Sequence, residues 1–513
     1  MKRIKTVLVL GLAFLFTLSC SDEDLDITNP NEVVVDTFYN NADELRNGVY
    51  AIYGAMQSTA LFSREYWFLH DLRSDDVSSG GGQLETPRNQ LLIGSNDPAN
   101  AVANNVWTGL YRVILRANIV IEQGPLVEDI TESARTALIA EAKFIRGWAY
   151  FELATLWGGV PIYLTPATSI SETFARSTLQ EVYAQAIQDF QDAIAGLPLN
   201  SDVEQPGRFS KGAAQAMLGR TYMFTEDWAA AKSVFDQIVD SGEYALVDEY
   251  VDNFQEENEY NSESIMEIGY AEIGQFNWNG TGDNVGNERS VRTQEYSTVG
   301  WRNLIPSVSL LNEFERESNG DEKTDPRFGF SFYSLGDTFN NGETVLTDDR
   351  VQGNTTDFEG ETTKISWRKY SLMYKMDPGG FALSGINHRV IRYAEVLLNL
   401  AECEMELGNL ARAVDLLNQV RARPSVDMPP YPTAAYPVGT AEQVMQAIIH
   451  EKRVEQSAEQ IRNRDILRWR AQSKLDEEPL SYFVANRHEL LPLPQGEIDN
   501  NANISQGDQN PGY

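Results

Sequence analysis

Two short runs of this chain carry side chains suited to holding a flat ligand: Phe276-Asn277-Trp278-Asn279 and Tyr296–Asn303, which reads YSTVGWRN. An aromatic ring offers a rigid surface of roughly 150–250 Å² and loses little rotamer entropy when it is ordered. A planar amide or guanidinium beside such a ring can meet the polar edges of the same ligand. Trp278 and Trp301 are therefore the platform candidates, with Tyr296 as a third and Phe276 beside them. Asn279, Arg302 and Asn303 are the candidate hydrogen-bonding partners. The competing reading is that these aromatics pin their segment to the rest of the fold. Trp107, Trp148, Trp157 and Trp228 lie in or beside helical patterns and read as core.

The residues point to binding and not to catalysis. The four histidines, His70, His388, His450 and His488, are dispersed, with no metal-ligand spacing among them. No G-x-S-x-G, phosphate-binding loop or dinucleotide fingerprint occurs, so no catalytic residue, metal or cofactor is expected. A glycosidase needs only two facing carboxylates, and among 75 acidic residues the sequence leaves such a pair open. The formal net charge of −34 argues against nucleic acid, whose phosphates need clustered Lys and Arg. Arg462, Arg464, Arg468 and Arg470 could hold an anion; pairing with carboxylates such as Glu451, Glu455 and Asp465 is the expected use.

The elements that must position the candidate residues are helices. From Ala134 to Trp157, Leu138, Ala142, Ile145, Ala149, Leu153 and Leu156 make one apolar stripe, and Phe144, Trp148 and Phe151 make a second. A helix apolar on two faces must be sandwiched between neighbours, and Gly158-Gly159 followed by Val160-Pro161 ends it. Ala186, Phe190, Ala193 and Pro198 then follow the spacing of the second helix of a tetratricopeptide (TPR) repeat. The same offsets recur in Leu218, Gly219, Tyr222, Ala231, Phe235 and Ile238, and in Leu400, Ala401, Ala413, Leu417 and Val420. The predicted fold is mainly α, a TPR-like helical repeat core of about eight helices with a long loop-rich insertion containing short strands. The core occupies 41–241 and 389–475; the insertion, 242–388, loses helical periodicity and carries the scattered aromatics. Within the core, Ala42–Gln57 and Val106–Gln123 are expected to pair, as are Thr440–Gln456 and Glu459–Ala471, whereas Leu61–Asn104 reads as a short apolar piece and a surface loop. Ser264–Tyr270 is predicted as a short strand, and 476–513 as an extended tail.

The N-terminus reads as an export signal over residues 1–19. Lys2, Arg3 and Lys5 precede the apolar run Val7–Leu18, too short to span a bilayer, and Ser19-Cys20 follows. Cys20 is the expected lipidation site, and 20–40 an acidic tether beginning Ser21-Asp22-Glu23-Asp24. The other cysteine, Cys403, lies within a repeat helix and reads as a small core residue.

Several segments, in order, resemble the signatures of the SusD/RagB family: EAKFIRGWAYFELATLWGGVPIY, RFSKGAAQAMLGRTYMF, RYAEVLLNLAECEMELGN, EKRVEQSAEQIRNRDILRW and LLPLPQGEIDNNANISQGDQNPGY. The resemblance covers nearly the whole mature chain. It implies an outer-membrane lipoprotein of Bacteroidetes that is not an enzyme and binds glycan, or in some members peptides. It also implies a partner, a SusC-like TonB-dependent transporter for which the lipoprotein serves as lid, and an acidic tag that directs it to the cell exterior. A neutral glycan presents C–H faces and hydroxyl edges, which matches the aromatic and amide mixture of the insertion. A TPR scaffold that docks proteins is the alternative. One departure is that Ser457-Ala458-Glu459-Gln460 stands where the family often has an aromatic-Gly step, a change that touches helix packing.

Overall fold

The computed structural model describes residues 38–513 apart from 168, 170, 279–285 and 380, so the export signal and Cys20 lie outside the described residues. The core is built from helix pairs. α1 (Ala42–Met56) is followed by two short helices, α2 (Glu65–Leu72) and α3 (Thr86–Leu92), and then by α4 (Ala101–Gln123). α5 (Glu132–Trp157), α6 (Leu179–Gly196), α7 (Lys211–Phe224) and α8 (Trp228–Ser241) complete the N-terminal part. Beyond the insertion come α9 (Tyr393–Glu406), α10 (Leu410–Arg421), α11 (Ala441–Gln456) and α12 (Arg462–Ala471). α1 packs on α4, α5 on α6, α7 on α8 and α9 on α10, and adjacent pairs stack through α4–α5, α6–α7 and α8–α9. Those four pairs make an eight-helix repeat core.

α5 is sandwiched as its two stripes require. Thr131 caps its start by accepting from the Ala134 amide, and Gly158 ends it in the left-handed region at φ 79°. Leu138, Ala142, Phe144, Ile145, Trp148, Phe151 and Leu156 are all buried, along both stripes. Its interior glycine has a packing reason: a Cβ on Gly147 would stand 3.0 Å from the Asp189 Cβ and from the Phe190 ring of α6. Gly219 plays the same part between α7 and α8, where a Cβ would come within 2.6 Å of the Phe235 ring. Cys403 is buried and unpaired, and burial pushes its thiol pKa well up.

Two local readings are corrected. Leu61–Asn104 contains α2 and α3, and Val77–Ser79 is a strand, antiparallel to Leu304–Pro306 with Ser78 opposite Ile305. The loop expected there gives way, over Val77–Gly80, to pairing with a distant segment. α12 finds its main helical neighbour in α2, not in α11, because its arginines reach acids on several other elements. Arg462 pairs with Asp75, Arg464 with Glu152, Arg468 with Glu402 and Asp465, and Arg470 with Glu478.

The insertion is closed at its base by an antiparallel pair, Ser264–Ile268 with His388–Arg392. Three further two-stranded ladders lie within it, including Phe332–Tyr333 with Ser366–Trp367. A buried ionic joint fastens it to α11. Arg327 bonds Glu451 at 2.6 Å, Glu455 at 3.1 Å and Asp325 at 2.7 Å, all without solvent exposure. Arg423 bridges Glu263 at 2.6 Å and Glu455 at 3.0 Å, and Arg392 holds Glu459 at 2.7 Å.

Candidate functional site: an exposed aromatic cluster

The insertion's platform candidates meet on the surface. The ring centroids of Trp278 and Trp301 are 5.7 Å apart, and Phe381 stands 6.4 Å from the first and 6.1 Å from the second. Phe276 closes the group from the side, edge-on to Trp278 at 4.7 Å. Trp278 is 44 % exposed and Phe381 52 %, whereas Trp301 and Phe276 are half-buried. Large rings are normally covered, so a cluster of them left in solvent is the candidate for a binding surface.

Three of the rings have an identifiable support. A short helix, Arg292–Tyr296, ends in a tight turn in which the Trp301 amide donates to the Gln294 carbonyl at 2.7 Å. Gly300 makes that turn possible, since a Cβ there would lie 2.6 Å from the same carbonyl. The Gln294 side chain accepts from the Ala382 amide at 2.8 Å, which fixes the chain next to Phe381. Beside Trp278 lies the Arg64 guanidinium, 5.2 Å from the ring centroid, itself held by Glu295 at 2.6 Å and Glu85 at 3.2 Å. The attraction of a cation to an aromatic face orients the indole. Burial tends to lower the Arg64 pKa, but Glu295 and Glu65 outweigh it and raise it.

The remaining candidates sit behind the surface. Tyr296 is buried, edge-on to Trp67, with its hydroxyl donating to Asp71 at 2.8 Å. Arg302 is fully buried and donates to Ser366 Oγ at 2.7 Å and to the carbonyls of Gln352, Asn354 and Ile365 at 2.8–3.0 Å. With no carboxylate beside it, burial lowers its pKa to about 10. Asn303 is buried, bonded through its amide to Glu295. These three are corrected to supports of the turn: polar atoms of a sharply turning backbone demand internal partners, and adjacent side chains supply them. Asn279 lies outside the described residues. Phe381 and Arg64 are members that the sequence reading missed. The available signal for Phe381 was an aromatic set directly after Gly379-Gly380, without apolar neighbours at helix or strand spacing.

The described residues thus combine an exposed aromatic cluster with a helical-repeat scaffold. Residues 262–513 match a family profile described as the SusD family, and residues 25–223 match one described as starch-binding associating with outer membrane. The chain belongs to the SusD/RagB family. A SusD-like protein of Formosa agariphila is 25 % identical, with both chains covered in full. A solved structure described as a laminarin-binding SusD-like protein is 26 % identical with a TM-score of 0.73, covering 93 % of this chain and 100 % of that one. A SusD superfamily structure from Bacteroides vulgatus has the same fold, with a TM-score of 0.76 at 23 % identity over 93 % of this chain and 100 % of that one. Among the described residues no helix is long and apolar enough to cross a membrane.

Proposed function

We propose that this chain binds a neutral glycan on the platform of Trp278, Trp301 and Phe381. The supporting observation is the clustering of these exposed rings, with centroids 5.7–6.4 Å apart, beside a guanidinium already neutralised by carboxylates. A sugar's C–H face stacks on such rings, whereas an acidic polymer would meet a strongly negative surface and no unpaired arginine at Arg64. The cluster is read as a binder and not as an enzyme: among the described residues the carboxylates of Glu85 and Glu295 beside it are both engaged by Arg64. The protein is lipidated at Cys20, faces the cell exterior from the outer membrane, and passes its glycan to a SusC-like TonB-dependent transporter as that transporter's lid. Isothermal titration against a panel of neutral and acidic polysaccharides tests the ligand class; binding of uronates but of no neutral glycan would overturn it. Mild-detergent purification should recover a TonB-dependent transporter in near-equal amount, and Cys20→Ala should release the protein from the membrane fraction.

A further inference from the structure

A second concave surface adjoins the platform. It is a cleft of about 620 Å³ between α1 and the loops that carry Gln205, Tyr260 and Glu288, within the size range of small-molecule sites. Two tyrosines stand at it in solvent, Tyr50 at 37 % and Tyr260 at 40 % exposure. Tyr260 is kept there against its backbone preference: its φ is 52°, held by its amide donating to the Glu267 carboxylate at 3.2 and 3.3 Å. Its ring lies over glycine backbone, since a Cβ on Gly269 would come within 2.4 Å of its hydroxyl. Tyr50 donates to the Gln205 side chain at 2.6 Å, and the Gln57 amide is fixed on the Gly269 carbonyl at 2.6 Å.

The independent sign of a ligand is Asn287, which lines the cleft. Its side chain is only 2 % exposed, its Oδ1 accepts from the Asn277 amide at 2.7 Å, and its Nδ2 has no partner among the described residues. A buried donor left unpaired is costly, and a ligand oxygen would satisfy it. The only arginine of the cleft, Arg208, is engaged by Glu141 in two bonds at 2.9 and 2.7 Å, so the site presents no uncompensated cation. Asn277, bonded to Asn287, immediately precedes Trp278, which places cleft and platform side by side on one surface.

We infer that this cleft is a second carbohydrate subsite, taking a further neutral pyranose of a chain whose neighbouring units stack on the platform. The inference rests on the glycan reading of the platform, and its test is arranged to fail separately. The double variant Trp278→Ala/Trp301→Ala removes the platform; saturation-transfer NMR of that variant with neutral gluco- and xylo-oligosaccharides then reads the cleft alone. Transfer is expected to persist and to fall severalfold when Tyr50→Ala or Tyr260→Gly is added, the latter suiting the left-handed backbone. Asn287→Asp keeps the acceptor for Asn277, removes the unpaired donor, and should act in the same direction. In the otherwise native protein, Tyr260→Gly should weaken long chains about tenfold and leave the shortest unchanged. No transfer from any sugar, transfer only from peptides, or transfer indifferent to all three cleft substitutions overturns the subsite. Native calorimetric affinity in the double variant would instead overturn the platform and leave this readout standing.

Discussion

The joint between the insertion and α11 and the platform at the insertion's outer surface invert ordinary placement in opposite ways. The joint buries Arg327, Arg392, Arg421 and Arg423 with Glu263, Glu451 and Glu455, whereas the platform leaves Trp278 and Phe381 in water. Buried charge is costly unless it is paired, so the joint favours the arrangement in which these arginines and glutamates meet and holds the insertion there. Exposed rings need only a backing, so the platform keeps its faces free. Rigidity at the base and availability at the tip are the two requirements of a carried binding surface.

The comparison breaks most visibly at the joint. Glu455→Ala would leave Arg392, Arg423 and Arg327 without a shared carboxylate. Removing one partner of a buried pair costs about 3–5 kcal/mol, so chemical denaturation should show a loss of that size. A change below about 1 kcal/mol would mean that the joint does not fix the insertion.

Acid should attack buried carboxylates of this kind and spare the platform. Burial opposes the charge of Glu402, but Arg468, bonded at 2.6 and 2.8 Å, outweighs it and lowers the pKa to about 2. In the unfolded chain the same group titrates near 4.5, so its stabilisation is complete above that pH and disappears as pH falls to about 2. Linkage makes this about 3 kcal/mol for the one group, with Glu152, also lowered to about 2 beside Arg464, adding to it. Urea midpoints measured from pH 6 to pH 2 should drop through that window; a flat profile would remove the pairs from the stability account.

The platform sharpens the contrast from the other side. Trp278→Ala should cost about 2 kcal/mol of glycan affinity, some thirtyfold, while the melting temperature barely moves. If the ring instead pins the insertion, the mutant loses stability together with binding, which circular dichroism beside calorimetry would reveal. The smallest effect belongs to Ala458, held at φ 60° where the family often has an aromatic-Gly step. Ala458→Gly should stabilise by about 1 kcal/mol, read as a raised urea midpoint; a lowered one would show that its methyl packs better than the backbone is strained.

The repeat core was legible because its signal is local. Gly147 and Gly219 occupy helix crossings, and the stripes of α5 announce burial on two faces. The platform was half legible: Trp278, Trp301 and Phe276 come together, but nothing in YSTVGWRN separates Trp301, which faces out, from Tyr296 and Arg302, which face in. That distinction depends on Asp71 and Ser366, far away along the chain. The strand Val77–Ser79 was hidden for the same reason, because its partner Leu304–Pro306 is equally distant in sequence.

The strand pair that closes the insertion, Ser264–Ile268 against His388–Arg392, also bears on how such a protein can diversify. Its two ends leave the scaffold at one place, so the intervening chain is a loop already tied at the neck. The entropy of closing a tied loop rises only logarithmically with length, about 0.6 kcal/mol for each doubling. Segments beyond the neck that touch neither the buried Arg327 joint nor the Val77–Ser79 strand can therefore be lengthened, trimmed or exchanged at little cost to the repeat array, whereas Arg327 and Leu304–Pro306 must keep their places.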